Sequence, residues 1–377
     1  MIDMQKPLEG VLVVSLEQAV AAPMTGRRLA DAGARVIKLE RPEGDFARGY
    51  DQLAKGQSVY FIWLNRGKES VIVDLTKPED RKLLDALLAK ADVFVQNLKP
   101  GALAKLGYPV EEMCARHPRL IACSISGYGD TGPYADRKAY DLLIQAESGL
   151  ASVTGSAAEP ARVGVSIVDV STGLHAYEAI LEALLRRAAT GKGADIRISM
   201  FDTIAELMSV PLLQGINGAP PRRIGLSHIS LAPYGVFTTR DDVPILISIQ
   251  NDREWRTLCT KVFERPECGT DPRFATSPAR IEHRPETDGL VAAWFAAHDA
   301  ETAIGKLDAA DIAFGRVNDV FGLQAHPHLR IMGVKTEVGT VEMPVPPAQW
   351  MGEAPLTADS VPALGAHTRA VREEFLG

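Results

Sequence analysis

Short runs rich in β-branched residues alternate with helical segments along the first 126 residues, and this alternation constrains the fold more than any other feature. Helical patterns over 27–34 and 78–91 separate runs that are typical of buried strands. These runs are VLVVSL (11–16), VIKL (36–39), SVIVDL (70–75), DVFVQN (92–97) and LIACSIS (120–126). Because strands that alternate with helices form parallel βαβ units, we predict an α/β fold with a Rossmann-like look.

The remainder of the chain predicts a second, smaller unit. A long helix is expected from about Thr172 to Thr190, followed by a strand at 196–200 and a helix over 202–210. Gly, Pro and Arg cluster at 214–225, as in a linker. We predict a large α/β domain over 1–220, completed by about 331–377, and a smaller α+β domain over 221–330. The last fifty residues are rich in proline and predict few strands before a short C-terminal helix.

Composition excludes several classes of protein. The formal net charge of −7 argues against nucleic acid or an anionic membrane as partner, since either favours a basic surface. The opening MIDMQKPLEG does not look like a signal peptide, and no apolar run is long enough to span a membrane. The four cysteines are far apart, which favours unmodified thiols in a reducing compartment. We therefore predict a cytoplasmic protein.

Three familiar motifs receive little support. GYGDTG (127–132) matches the dinucleotide pattern GxGxxG, but Pro133 follows at once, and the first βα turn, EQAVAAP (17–23), has no glycine. A glycine-rich loop that lets a ligand approach the backbone is the better interpretation. The eight histidines are scattered, with only His326 and His328 close together, so we expect no metal site. GxSxG is absent from the sequence.

One carboxylate and several cations stand where ligands commonly bind. Asp169 lies just before the predicted long helix, where Ser171 or Thr172 could cap the first turn and the helix start would favour an ionised carboxylate. Such a group can attack a thioester, but position alone favours an ordinary capping aspartate. Cations near predicted strand ends would suit phosphate groups, although each could equally be a solvated surface charge. They are Arg41, Arg66, Lys68, Lys99, Lys105, Arg137 and Lys138.

The sequence resembles the family III CoA transferases, the group that includes formyl-CoA transferase, carnitine CoA transferase and α-methylacyl-CoA racemase. The matching segments run in order through about 200 residues and are together more specific than any short motif. They are PLEGVLVVSLEQAVAAP, VIKLERPEGD, LNRGKESVIVDL, ADVFVQNLKPGALAKLG, ISGYGDTGPYADRKAYDLLIQAESGLASVTG, VGVSIVDVSTG and GKGADIRISMFD.

The resemblance implies a mechanism. Asp169 falls on the family's catalytic aspartate, which attacks an acyl-CoA to give a mixed anhydride. The released CoA thiolate then forms an aspartyl-CoA thioester, and the acceptor acid leaves as its CoA ester. This chemistry needs no cofactor beyond the CoA thioester that serves as substrate. The resemblance also implies a homodimer of interlocked two-domain subunits.

The resemblance assigns further site residues. Lys105 stands where formyl-CoA transferase has an arginine, so it keeps a cation but loses the bidentate fork. Tyr140 matches an active-site tyrosine of the transferases. Positions that match CoA contacts of relatives are Arg41, Asn65, Lys68, Asn97, Leu98, Lys105 and Lys138.

Two other functions stay open within this resemblance. Racemases of the family place a histidine directly before an aspartate, where this chain has Tyr140 in AYDLL. Tyrosine, with a reference pKa of about 10, is a poor base near neutral pH, so a transferase is favoured over an α-methylacyl-CoA racemase or epimerase. An inactive CoA-binding module is the second alternative, and the intact Asp169 with its glycine neighbours argues against it.

The substrate is predicted from departures outside the catalytic core. Val20 replaces a glutamine that lies near the acyl site of formyl-CoA transferase, and segment 227–246 lacks the glycine-rich loop, which argues against formyl or oxalyl substrates. Segment 313–330 looks like branch members that use succinyl-CoA and C5 dicarboxylic acids such as itaconate, mesaconate or citramalate. Arg223 and His228 are candidate contacts for the acceptor carboxylate.

Overall fold

The computed structural model describes residues 6–351 and 360–377. Its strands are β1 (Leu12–Leu16), β2 (Arg35–Glu40), β3 (Lys68–Ile72), β4 (Val93–Gln96), β5 (Ile121–Ser126), β6 (Ala194–Ser199), β7 (Tyr234–Thr238), β8 (Pro244–Ser248), β9 (Phe314–Arg316), β10 (Ile331–Thr336) and β11 (Gly339–Pro344).

Helices connect most of these strands. They are α1 (Ala21–Asp31), α2 (Val59–Asn65), α3 (Pro78–Leu88), α4 (Ala102–Lys105), α5 (Val110–Arg116), α6 (Asp141–Glu147), α7 (Leu150–Val153), α8 (Ile167–Thr190), α9 (Met200–Leu207), α10 (Ser209–Ile216), α11 (Asp252–Thr257), α12 (Ser277–Glu282), α13 (Arg284–Ala297), α14 (Ala300–Ala309), α15 (Val320–Gln324) and α16 (Thr368–Leu376).

The chain divides into two compact units, of which the first comprises Met1–Ala151, Arg162–Val210 and Arg330–Gly377. Its six-stranded sheet has the order β3-β2-β1-β4-β5-β6, and every neighbouring pair is parallel. This is the strand order of a Rossmann fold, whose topological switch point lies between β1 and β4. The predicted α/β class is confirmed.

Apolar side chains cover both faces of this sheet. On one face Val14, Ile37 and Phe94 pack against the leucines of α3. On the other face Val13 and Val95 pack against α1 and α8. Because parallel strands are buried on both sides, their sequences are continuous apolar runs rather than alternating ones. The sheet therefore holds α1 and α8 side by side on one of its faces.

The second unit comprises Ser152–Ala161 and Pro211–Leu329. It contains an antiparallel sheet of order β7-β8-β9 that packs with helices around the fully buried Trp255. Arg280 is also fully buried and donates hydrogen bonds to the carbonyl of Ala232 (2.7 Å), the carbonyl of Phe274 (2.9 Å) and the carboxylate of Asp252 (2.9 Å). These bonds compensate the desolvation of the guanidinium.

Several predicted elements begin or end elsewhere. The long helix α8 begins at Ile167 rather than Thr172, and α1 begins at Ala21 rather than Arg27. The prediction of few strands near the C-terminus is wrong, because β10 and β11 form an antiparallel hairpin there. Across residues 6–351 and 360–377, no helix combines the length and the apolar composition that crossing a membrane requires.

Candidate active site

The start of α8 is held against α1 by an unusually close approach of the two backbones. A Cβ atom on Gly173 would lie 2.5 Å from the carbonyl oxygen of Ala21 and 2.7 Å from the Cβ of Met24, so only glycine fits. The Thr25 hydroxyl donates a hydrogen bond of 3.0 Å to the Gly173 carbonyl. Since Asp169 lies one turn before Gly173, these contacts also fix the position of Asp169.

Asp169 is the third residue of α8, within its first turn. The prediction that it precedes the helix, with Ser171 or Thr172 as cap, is therefore wrong. The hydroxyls of Ser171 and Thr172 instead donate back along the helix, to the carbonyls of Ile167 (2.6 Å) and Val168 (2.7 Å) respectively. Short hydroxyl side chains inside a helix commonly make this bond to the preceding turn.

The first turn of α8 is capped by Asp141, the first residue of α6. One oxygen of the Asp141 carboxylate accepts hydrogen bonds from the N–H groups of Val168 (2.8 Å) and Asp169 (3.3 Å). Burial, and then the negative charge of Asp141, raise the pKa of Asp169 to about 7. The expectation that the helix start favours an ionised Asp169 is thus wrong, because burial and the neighbouring Asp141 carboxylate both favour the protonated form.

Tyr50 belongs to an aromatic cluster and interacts electrostatically with Asp169. Tyr50 makes edge-to-face contacts with Phe46 and Tyr60, each with 5.6 Å between ring centroids. Burial, and then the charges of Asp45 and Asp169, raise the pKa of Tyr50 to about 12, so this phenol stays protonated at neutral pH. Tyr140, which precedes α6, is 62% exposed and contributes further to the same shift. Tyr140 was predicted from the sequence, and Tyr50 was not.

A cavity of about 450 Å³ opens at the carboxyl ends of the parallel strands. Leu16 ends β1, Leu39 lies near the end of β2, and Val73 directly follows β3. Two predicted CoA contacts, Arg41 and Leu98, also line this cavity. Open α/β sheets bind their ligands at this edge, so the fold places a cation and an apolar side chain where a ligand is expected.

Comparisons with known proteins assign the chain to a family. The model of CoA-transferase family III matches residues 8–368. The acetyl-CoA:oxalate CoA-transferase of Acetobacter aceti is 37% identical, with 98% of this chain and 96% of the relative covered. The succinyl-CoA:glutarate CoA-transferase of Mus musculus is 34% identical, with 99% of this chain and 87% of the relative covered. The chain belongs to CoA-transferase family III.

A solved structure agrees with this assignment. A CAIB/BAIF family protein from Brucella suis superposes with a TM-score of 0.85 at 34% identity, with 99% of this chain and 100% of that chain covered. The predicted resemblance and the predicted enzyme class, a family III CoA transferase, are confirmed. The roles of individual residues remain predictions, and the structure gives each of them a definite place.

The loop after β1 of this CoA transferase rests on a buried cluster of charges. Lys68 donates to a carboxylate oxygen of Glu17, to the carbonyl of Pro23 (3.0 Å) and to the side-chain oxygen of Asn65 (3.1 Å). Burial lowers the pKa of Lys68 to about 8, although the charge of Glu17 opposes this shift. Lys38 pairs with Asp45 at 2.7 Å in the same cluster. Lys68 and Asn65 are thus buried and form hydrogen bonds within the protein. Their contact with CoA stays a prediction.

The same loop is fixed from the neighbouring strand. The side chain of Asn97 accepts a hydrogen bond from the N–H of Gln18 and donates one to its carbonyl, both at 2.9 Å. The next residue, Ala19, has a positive φ of 64°, and its N–H donates to Asp45 at 3.1 Å. Val20 is buried in a small apolar cluster against which Val170, the neighbour of Asp169, also packs. Asn97 therefore holds the loop that carries Val20.

The remaining predicted residues of the first unit lie at the surface. Lys105 ends the short helix α4 and is exposed, and Lys138 is exposed in the loop that precedes α6. Cations in such positions are free to reach phosphate groups, as the prediction requires. Neither residue lines the cavity that contains Arg41 and Leu98.

Arg223 and His228 belong to the second unit. Arg223 donates to the carbonyl of Ser156 at 3.1 Å, which ties two segments of that unit together. His228 stacks on Tyr234 with 5.2 Å between ring centroids. Its Nδ1 accepts a hydrogen bond of 3.1 Å from the N–H of Ser230, so only Nε2 can donate to a substrate.

Proposed function

We propose that this enzyme transfers CoA from succinyl-CoA to a dicarboxylic acid through a covalent intermediate on Asp169. The observation that carries the proposal is the placement of Asp169 in the first turn of α8, where Gly173 and Asp141 fix it from two sides. A carboxylate whose pKa is near 7 is a better nucleophile than an ordinary one, and it is still substantially ionised at neutral pH.

The proposed reaction runs through two kinds of acyl derivative of Asp169. The ionised Asp169 attacks the thioester carbonyl, a C–O bond forms, and the C–S bond breaks to release CoA thiolate. The thiolate then attacks the aspartyl carbonyl of the anhydride, which yields aspartyl-CoA and frees the donor acid. The acceptor carboxylate then attacks the carbonyl of aspartyl-CoA, which gives a second mixed anhydride and releases CoA thiolate. The thiolate attacks the acceptor's acyl carbonyl, which forms the new CoA ester and regenerates the Asp169 carboxylate. No step in this scheme requires a metal ion or a redox cofactor.

The cavity at the strand ends supports binding of CoA in the same unit. Arg41 supplies a guanidinium that suits a phosphate group, and Leu98 supplies apolar contact. Lys105 and Lys138 are exposed cations that could extend this contact. Phenols that stay protonated, such as that of Tyr50, can donate hydrogen bonds to the developing oxyanion during attack on the thioester.

The acceptor is proposed from the relatives. One is named for succinyl-CoA and glutarate, a C5 dicarboxylic acid, which supports the C5 acids that the sequence predicted. Another is named for acetyl-CoA and oxalate, so oxalate is the competing acceptor, although Val20 argued against it. Both acids carry two carboxylates. Arg223 and His228 stay the candidate contacts for the acceptor carboxylate that the sequence predicted.

We also propose that the enzyme is a cytoplasmic homodimer. The helices α9 and α10 each expose apolar side chains that a second copy of the chain could cover. These side chains are Leu207, Val210, Leu212, Leu213 and Ile216, each more than half exposed. The four cysteines are free thiols, as is usual in a reducing compartment.

The test is an exchange assay read by mass spectrometry. Succinyl-CoA, acetyl-CoA and a branched acyl-CoA are each incubated with glutarate, itaconate, mesaconate, citramalate or oxalate. We expect a new CoA ester of a dicarboxylate with wild type and with Asp202→Ala, and none with Asp169→Ala. Asp202 is a suitable control because it is also the third residue of a helix, α9, and is exposed.

Two other outcomes would contradict the proposal. Deuterium from heavy water at the α position of the branched acyl-CoA, without any new ester, would indicate a racemase. Binding of CoA by wild type and by Asp169→Ala, without exchange by either, would indicate a binding module that lacks activity.

A further inference from the structure

The carboxylate of Asp141 joins two parts of the first unit that meet at Asp169. Through one oxygen it accepts the N–H groups of Val168 (2.8 Å) and Asp169 (3.3 Å), and through the other it accepts the side-chain N–H of Gln145 at 2.6 Å. Gln145 is fully buried, and its carbonyl oxygen accepts the N–H of Val163 at 2.9 Å. Asp141 and Gln145 together therefore hold both the first turn of α8 and the segment leading into it.

This arrangement changes what the N-terminus of α8 can do for Asp169. The free N–H groups at a helix start normally stabilise a nearby anion. Here the N–H groups of Val168 and Asp169 already bind the Asp141 carboxylate. The side chain of Asp169 thus meets a like charge where a helix would otherwise offer it partial positive charge.

Within residues 6–351 and 360–377, no cation forms an ion pair with Asp169. Asp141 of α6 interacts electrostatically with Asp169, and so does Tyr50 in the segment between β2 and α2. Tyr50 itself interacts with Asp45 and Tyr140, which add a negative charge and a phenol. The α1 residues packed on this end of α8 are apolar or hydroxylic, as Met24 and Thr25 show.

We propose that Asp141, held in place by Gln145, is a positioning residue of the transferase that orients Asp169 and disfavours its free anionic form relative to the acylated forms. The inference rests on the proposed function of Asp169 as nucleophile. In the anhydride and in aspartyl-CoA, Asp169 carries no charge, so its repulsion by Asp141 disappears when either intermediate forms. Repulsion present only in the resting enzyme favours progress toward the covalent intermediates.

The substitution Asp141→Asn tests this role, because it removes the charge and keeps an oxygen that can accept the N–H groups of α8. We expect kcat to fall at least tenfold while KM for acyl-CoA changes less than threefold. The acid limb of the pH dependence of kcat should also move to lower pH by at least one unit. The fraction of enzyme trapped as aspartyl-CoA at equilibrium should decrease.

A residue with a merely structural role would lower activity without moving the acid limb, and that result would overturn the proposal. Asp202→Asn is the matched control, since Asp202 also lies in the first turn of a helix, and its acid limb should stay at the wild-type position. Gln145→Glu, which replaces the N–H donor to Asp141 by a carboxylate oxygen, should lower kcat as well. Unchanged kcat in Gln145→Glu would contradict the part assigned to Gln145.

The proposed function and this inference can fail separately. The Asp169 carboxyl resonance, labelled with carbon-13 and assigned by its loss in Asp169→Asn, can be titrated without any turnover. We expect its midpoint near pH 7 in wild type and at least one unit lower in Asp141→Asn. Equal midpoints would overturn the inference even if exchange is observed. If wild type shows no exchange but the titration midpoint of Asp169 is lower in Asp141→Asn, the proposed function alone would be overturned.

Discussion

The hydroxyl of Thr25 donates a hydrogen bond of 3.0 Å to the backbone carbonyl of Gly173, which ties α1 to α8 one turn after Asp169. The contact depends on the missing side chain at position 173, because a Cβ atom there would lie 2.5 Å from the carbonyl oxygen of Ala21. The position of the candidate nucleophile therefore depends on helix packing as much as on its own surroundings.

Gly173→Ala should separate α1 from α8 and displace Asp169. We expect a loss of about 1–3 kcal/mol in the free energy of unfolding, typical of overpacking, and at least a tenfold loss in kcat. Gly305→Ala is the control, since a Cβ on Gly305 of α14 meets nothing within 4 Å among the described residues. That variant should be unchanged or slightly more stable. Denaturant unfolding measures the loss of stability, and the exchange assay measures the loss of kcat. Equal stability and equal kcat in the two variants would contradict the packing argument.

Asp169→Asn should stabilise the protein increasingly as pH rises. The carboxyl pKa is about 7 in the folded chain and near 3.9 in an unfolded one, so the folded state favours the protonated form. The stability that this form contributes is complete below pH ~4 and is lost as pH rises through 7. At pH 8 the variant should be more stable than wild type by about 2–4 kcal/mol, and at pH 5 by about half as much or less. A stability difference that is constant between pH 5 and 8 would show that the pKa is not raised.

Arg41→Ala should weaken binding of the CoA ester without affecting the fold. Loss of one guanidinium–phosphate contact should raise KM for acyl-CoA about tenfold, equivalent to about 1.4 kcal/mol. The melting temperature should stay within 1–2 °C, roughly, because an exposed residue contributes little to stability. Lys192→Ala, which removes an exposed cation elsewhere in the same unit, serves as control. Equal KM values in the two variants would place the phosphates outside this cavity.

The sheet was largely predictable because its strands are buried on both faces. Four runs of β-branched residues fall within one or two residues of β1, β2, β4 and β5. The predicted run at 70–75 is displaced from β3, which covers Lys68–Ile72. The polar start of β3 did not look like a buried strand, because the buried charge of Lys68 is compensated by contacts with Glu17, Pro23 and Asn65 that the sequence does not reveal. Hydrophobic patterning cannot reveal a charge that is paired inside the protein.

The sequence predicted the candidate nucleophile, but it did not predict the residues that act on it through tertiary contacts. Asp169 could be selected by the family resemblance, whereas its position alone favoured an ordinary capping aspartate. Asp141 lies 28 residues earlier, and nothing local indicates that its carboxylate caps α8. Tyr50 was missed because an aromatic residue beside a glycine is ordinary in sequence, and its relation to Asp169 exists only in the folded unit. The raised pKa of Asp169 arises from its burial and then from the charge of Asp141, and both exist only in the folded unit.

Lys68 provides a prediction that separates a structural role from a ligand contact. Lys68→Met leaves the buried carboxylate of Glu17 without its main partner and should cost about 3–5 kcal/mol of unfolding free energy. The double variant Lys68→Met/Glu17→Leu removes both charges and should recover most of that loss, because Lys38 keeps its pair with Asp45 at 2.7 Å. Its KM for acyl-CoA should then be close to that of wild type, as measured in the exchange assay after denaturant unfolding has established that it is folded. A fully stable Lys68→Met with a tenfold higher KM would instead make Lys68 a direct CoA contact, as its sequence position suggested.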